Sequence, residues 1–203
     1  MDLLGALSKH IERADIVEQL RSLVRIPSVT GDEEAAQMHV AQILRDLGGE
    51  VDLWQPDARE LQGLSGFPGA RILTPRPNVV GTFRGSDAGP RLVLNGHIDT
   101  VTAGHADRWT HPPFAGEVAD GNVYGRGACD MKGGLVAILV ALRAIREAGL
   151  RLRGSVSVQS VIGEEDGGFG TFAALARGHR GDAVIVCEPT QLAVVPAHAG
   201  VTL

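Results

Sequence analysis

The stretch Lys132-Gly133-Gly134-Leu135-Val136-Ala137-Ile138-Leu139-Val140-Ala141-Leu142-Arg143-Ala144-Ile145-Arg146-Glu147-Ala148, followed after Gly149 by Ser155-Val156-Ser157-Val158-Gln159-Ser160-Val161-Ile162, decides the fold. In its first part Leu135, Ile138, Leu139, Leu142 and Ile145 recur at helical spacing and bury one side, and Gly149 ends the pattern. The second part alternates at first and then turns fully apolar, as a central strand does. A helix running into a buried strand is the repeating unit of α/β sheets.

The same grammar extends in both directions. Ile11, Ile16, Val17, Leu20, Leu23 and Val24 form an apolar helical stripe that ends at Ile26-Pro27, because the residue before proline avoids the α region. Thr30-Gly31-Asp32-Glu33 predicts a capping box, with Thr30 as N-cap and Glu33 reaching back. Its helix carries Ala36, Val40, Ile43, Leu44 and Leu47 on one face and stops at Gly48-Gly49. Strands are expected at residues 51–54, 78–83, 91–94 and 122–124, with a further buried strand at 182–187 and a short helix at 168–177. Residues 55–77 and 100–114 are expected to be loops. The alternation predicts an α/β fold, a mostly parallel, mixed sheet with helices on both faces.

Composition narrows the function classes. The chain has 203 residues, 44% apolar and 21% charged, which is globular and not disordered. A net charge of -5 argues against nucleic-acid binding, which needs a basic stripe. No apolar run approaches the length of a membrane span, and the first ten residues make a poor signal peptide. Cys129 and Cys187 stand in unlike contexts, so a disulfide framework is not expected and the cytoplasm is the expected setting.

The chemistry gathers where strands end. His97 with Asp99, then Asp130, then Glu164 and Glu165, then Glu188 each follow or close an apolar run, most of them beside glycine. Strand ends are where open α/β sheets place their sites. One imidazole and several carboxylates suit a hard or borderline divalent metal, zinc above all. Each station also has an ordinary reading. His97 fits a surface histidine, Asp130 an N-cap, and Glu164-Glu165-Asp166 a solvated acidic loop. In an extended chain His97 and Asp99 face the same way, so Asp99 can steer the imidazole. A dinucleotide site fails on charge and on glycine spacing. Neither Cys129 nor Ser160 lies in a nucleophile elbow.

Leu94-Asn95-Gly96-His97-Ile98-Asp99-Thr100-Val101, Tyr124-Gly125-Arg126-Gly127-Ala128-Cys129-Asp130-Met131-Lys132-Gly133-Gly134, Gly163-Glu164-Glu165 and Cys187-Glu188-Pro189-Thr190 resemble the acetylornithine deacetylase / succinyl-diaminopimelate desuccinylase family. These are co-catalytic zinc amidohydrolases and peptidases, related to aminoacylase and carboxypeptidase G. The resemblance implies two zinc ions per complete site, with cobalt or manganese as substitutes. His97 and Glu188 would hold one, Asp130 would bridge, and Glu165 would hold the other. Asp99 would steer His97, and Glu164 would be the general base for the attacking water. A cis peptide is implied at Asp130-Met131. The implied substrate is an N-acyl amino acid or small peptide, and the full-length form is expected to be a homodimer.

The family completes its second metal site with a histidine much later in a longer chain, and inserts a lid and dimerisation domain that bears another histidine, which assists the oxyanion. Residues 1–190 are therefore expected to be the N-terminal part of the catalytic domain, and 191–203 the crossing into that lid. His198 matches neither later histidine and is read as structural; His10, His39, His105, His111 and His179 have no motif support. The alternative is a truncated, catalytically silent module with a partial metal site.

Overall fold

The computed structural model describes residues 2–69, 75–85 and 89–195. In chain order the elements are α1 (Leu3–Ser8), α2 (Arg13–Val24), α3 (Glu34–Asp46), β1 (Glu50–Trp54), α4 (Ala58–Leu61), β2 (Asn78–Phe83) and β3 (Arg91–His97). There follow β4 (Glu117–Ala119), β5 (Asn122–Tyr124), α5 (Gly133–Glu147), β6 (Ser155–Val161), α6 (Phe169–Ala176) and β7 (Ala183–Val186). Five strands form one mixed sheet in the order β1-β2-β6-β3-β7, and β4 pairs with β5 apart from it. β2 runs antiparallel to β1 and β6, whereas β3 runs parallel to both β6 and β7. The parallel half carries His97 at its carboxyl end.

Helices cover both faces, as the alternation predicts, and side-chain parity shows how. Gly81 of β2 lies under Leu44 of α3, and Gly96 of β3 lies under Leu135 of α5. On the opposite face Asn78 donates to the Gly170 carbonyl at 2.7 Å and Asn95 donates to Thr171 Oγ1 at 3.3 Å, both in α6. The core joins Val40, Ala41 and Leu44 of α3 to Leu135, Ile138, Leu139 and Leu142 of α5 over Val79, Val156 and Val158. Removing this apolar surface from water is the main favourable term in holding the layers together.

Several expectations change. The helix expected from Ile11 starts at Arg13, and Ile11 is exposed. The capping box does not form, since α3 begins at Glu34 and no side chain caps it. Thr30 and Glu33 have charged partners elsewhere, described below, and those bonds outcompete a cap. β3 continues past Leu94 to His97, because Asn95 and Gly96 keep parallel register with Gln159 and Ser160. The strand at 182–187 is not buried. Val184, Ile185 and Val186 of β7 are each at least half exposed, since β3 is its one sheet neighbour among the described residues. The 55–77 segment holds one helical turn, α4, capped by the Asp57 carboxylate on the Arg59 amide at 2.9 Å. α1 and β4 are too short to leave a periodic signal.

Gly170 gives a direct test of this packing. A Cβ there would collide with the backbone nitrogen and oxygen of Ile162, where α6 presses on the end of β6. Gly170→Ala is expected to lower unfolding free energy by about 1–3 kcal/mol in urea titrations. Gly63→Ala, with nothing within 4 Å of its Cβ, should stay within about 0.5 kcal/mol of wild type.

Candidate metal centre

His97 ends β3, and its imidazole is 1% exposed. Nδ1 lies 2.9 Å from the backbone carbonyl of Asp99 and 3.6 Å from Asp99 Oδ1. A carbonyl can only accept, so Nδ1 carries the proton and the Nε2 lone pair points the other way. That lone pair faces Asp130 Oδ1 at 3.0 Å. Two acceptors at this separation require a cation or a second proton between them. Burial alone would lower the His97 pKa, but hydrogen bonding and charge from Asp99, with the charge of Glu188, raise it to about 9.

Asp130 lies in the one-turn stretch Ala128–Lys132 just before α5, with non-helical backbone and a cis peptide to Met131. It does not cap α5, whose first turn has no side-chain cap. Its carboxylate is free to face His97. The surrounding glycines permit this approach. Gly127 has φ 80°, and a Cβ there would strike the Thr100 methyl. At Gly134 a Cβ would strike the Cys187 carbonyl, so the start of α5 lies directly against the chain that delivers Glu188. Below them Met131 is fully buried, its sulfur accepting the His97 amide at 3.2 Å. Lys132 is also buried and donates to the Leu23 and Ile26 carbonyls at 2.9 and 2.8 Å, tying the site to the end of α2; burial lowers its pKa to about 8.

Glu164 and Glu165 follow β6 in a tight turn. Glu164 Oε2 stands 4.0 Å from His97 Nε2 with the side chain 48% exposed, and Glu188 Oε1 stands 3.7 Å from the same nitrogen. Ligand atoms of His97, Asp130 and Glu165 all lie within 4.8 Å of one another, the group among the described residues that could hold a metal ion. Glu188 approaches His97 but falls outside that mutual set. Burial raises the carboxyl pKa values of Glu165 and Glu188, and the negative charges of Asp130 and Glu164 add to it. Such crowded acids are costly together unless a cation neutralises them. The donor set therefore fits a divalent metal.

The Asp99 carboxylate, fully buried, does more than face His97. Oδ1 accepts the Glu164 amide at 3.1 Å; Oδ2 accepts the Glu165 amide at 3.2 Å and the Thr30 hydroxyl at 3.0 Å. Burial would raise its pKa, but His97 and the Glu164 and Glu165 amides together lower it. Beneath the same turn Arg76, 1% exposed, pairs with the buried Glu33 at 2.7 Å and reaches Asp166 at 3.5 Å. Sequence reasoning missed Thr30, Glu33 and Arg76 as parts of the site. Nothing in Pro75-Arg76-Pro77 marks a buried cation, and the Thr30/Glu33 spacing suggested a cap instead. The unassigned histidines stay apart. His10 pairs with Glu147, His111 with Glu117, and His179 with Asp52. His198 lies outside the described residues.

Residues 93–200 match the family model of peptidase family M20/M25/M40. The chain belongs to this family. It is 33% identical over 194 residues to the N-formyl-4-amino-5-aminomethyl-2-methylpyrimidine deformylase of Bacillus subtilis, covering 92% of the chain and 42% of that protein. It is 39% identical over 176 residues to the succinyl-diaminopimelate desuccinylase of Methylorubrum populi, covering 83% of the chain and 42% of that protein. The fold is that of human carnosine dipeptidase 1, with a TM-score of 0.74 at 23% identity over 91% of this chain and 41% of that one. The chain thus spans about two fifths of the length of the curated relatives it matches. The resemblance read from the motifs is borne out at the level of the family.

Two measurements probe the site without catalysis. Glu33→Gln removes the bidentate partner of a buried guanidinium and is expected to cost about 3–5 kcal/mol in denaturant unfolding. The second concerns pH. His97 has a folded pKa of about 9 against an ordinary 6.5, so its contribution to stability is full below 6.5 and lost as pH rises to 9. The melting temperature of metal-stripped protein should fall across that window, and the fall should vanish in His97→Gln.

Proposed function

We propose that this chain carries the metal-binding core of an amidohydrolase that splits the C–N amide bond of an N-acyl amino acid or small peptide. The observation that carries this reading is His97 Nε2 facing Asp130 Oδ1 at 3.0 Å, with Glu165 closing the group. The deformylase, the desuccinylase and the dipeptidase it resembles are all named for removing an acyl or aminoacyl group from nitrogen.

Imidazole and carboxylate oxygen favour zinc, with cobalt or manganese as substitutes. His97 and Glu188 would hold one ion, Glu165 a second, and Asp130 would bridge. A divalent ion held there supplies Lewis acidity and lowers the pKa of water. The side chains supply the rest. Asp99 accepts through its carbonyl from His97 Nδ1–H and so leaves Nε2 as the nitrogen that faces the ion. Glu164, half exposed beside the metal ligands, takes a proton from the attacking water and returns it to the leaving amine nitrogen. Its backbone is pinned to Asp99, so the carboxylate works from a fixed base.

The same proposal divides the chain at residue 190, with a lid and dimerisation domain following and a homodimer as the full-length form. A cytoplasmic setting fits two free cysteines and the lack of any helix, among the described residues, long and apolar enough to cross a membrane. A silent module with a partial metal site is the second reading, favoured by the single imidazole in the cluster.

Metal titration and kinetics separate these readings. The 203-residue chain is expected to bind about one zinc tightly, because one site keeps its ligand set; two equivalents of equal affinity would contradict the assignment. In the complete gene product, Glu164→Gln should lower turnover of N-acyl amino acids by roughly 10²–10⁴-fold and leave metal content unchanged. Retained turnover would remove Glu164 from the role of base.

A further inference from the structure

Residues 28–33 precede α3 and belong to none of the strands that deliver the metal ligands. They nevertheless run beside the chain that follows His97. The Ser28 hydroxyl donates to the Ile98 carbonyl at 2.7 Å, the Thr100 amide donates to the Ser28 carbonyl at 2.9 Å, and the Thr30 amide donates to the Thr100 carbonyl at 3.0 Å. Val29 and Thr100 form an isolated parallel bridge. This backbone strap holds the Thr30 side chain against Asp99. Its hydroxyl proton has two acceptors, Asp99 Oδ2 at 3.0 Å and the Thr100 carbonyl at 3.3 Å. The carboxylate is nearer and charged, and a charge-assisted bond is about twice as strong as a neutral one.

That oxygen, Asp99 Oδ2, is also the acceptor for the Glu165 amide, while Oδ1 takes the Glu164 amide. Thr30 therefore fixes the rotation of the one carboxylate on which both residues of the acidic turn hang. A second link runs from the same segment to the same turn. Glu33 clamps Arg76, and Arg76 reaches Asp166 at 3.5 Å. The guanidinium also fills the space beside Gly163, where a Cβ would lie 2.9 Å from Arg76 Nη2. One end of the turn is held through Thr30 and Asp99, the other through Glu33 and Arg76.

We propose that Thr30 is a positioning residue for the acidic turn, setting Glu164 and Glu165 relative to His97 through the Asp99 carboxylate. This inference rests on the metal-centre reading for its catalytic consequence but not for its structural one. Thr30 touches neither metal nor substrate. Its hydroxyl removes the freedom of Asp99 to rotate, and the two glutamate amides inherit a fixed acceptor. Asp99 is the kind of partner whose removal weakens metal binding by roughly 10–100-fold, and Thr30 acts on the ligands one bond further out.

The test compares Thr30→Val, which keeps shape and loses the donor, with Thr30→Ser, which keeps the donor, both in the complete gene product. Amide hydrogen exchange of Glu164 and Glu165 is read in metal-free protein. Thr30→Val should speed exchange at those two amides by about tenfold or more relative to core strand amides, and Thr30→Ser should restore protection. Cobalt(II) titration should show affinity weaker by up to about tenfold for Thr30→Val and close to wild type for Thr30→Ser, with an altered visible spectrum in the former. Turnover of Thr30→Val should fall in kcat with KM nearly unchanged. Wild-type exchange at both amides in Thr30→Val overturns the inference, as does failure of Thr30→Ser to restore it. Failure of the wild-type protein itself to bind cobalt defeats the metal reading instead, and the exchange comparison still decides the role of Thr30.

Discussion

The structure turns on one buried carboxylate. Asp99 sits two residues beyond β3, fully out of water, and gathers the Thr30 hydroxyl and the amides of Glu164 and Glu165, with His97 Nδ1 3.6 Å from its Oδ1. An isolated buried carboxylate is expensive, and each donor offsets part of that cost. The hydrogen-bond donors come from two segments far from Asp99 and from each other in sequence, so the charge can be satisfied only when both have arrived. The condition that makes Asp99 tolerable is the same one that assembles the site. Its neighbour His97 meets a complementary need, since Nδ1 is occupied by the Asp99 carbonyl and Nε2 is left facing acids.

Glycine sets how closely these segments converge. At Gly127 and Gly134 the backbone turns under Thr100 and against Cys187 with no room for a side chain. The result is that Asp130 and Glu188, carried by different elements, both reach the imidazole. Polar residues inside strands serve the same end from below. Asn95 donates to Gln159 and Thr171, and Ser160 to Gln37, so the central strands β3 and β6 are cross-braced by hydrogen bonds as well as by apolar packing.

Much of this was legible in the sequence where one local signal sufficed. The α5 stripe, the β6 alternation and the glycine-flanked acids each carry their meaning within about ten residues, and the family resemblance followed from them. What stayed hidden depends on contacts distant in sequence. Thr30 and Glu33 have the spacing of a capping box, and only the arrival of Asp99 and Arg76 redirects them. Arg76, between two prolines, gives no hint that it lies buried. β7 reads as a core strand from its Ala183-Val184-Ile185-Val186 run, and composition cannot tell how many neighbours a strand has; among the described residues β7 has one.

That last strand gives the donors unequal tenure. His97 and the turn bearing Glu165 are anchored by β3 and β6, each flanked on both sides in the sheet, whereas Glu188 rides two residues beyond β7, which among the described residues pairs with β3 alone. Among the described residues Glu188 is therefore placed by one ladder and by the contact of Cys187 with Gly134, whereas β3, which carries His97, is held by ladders on both sides.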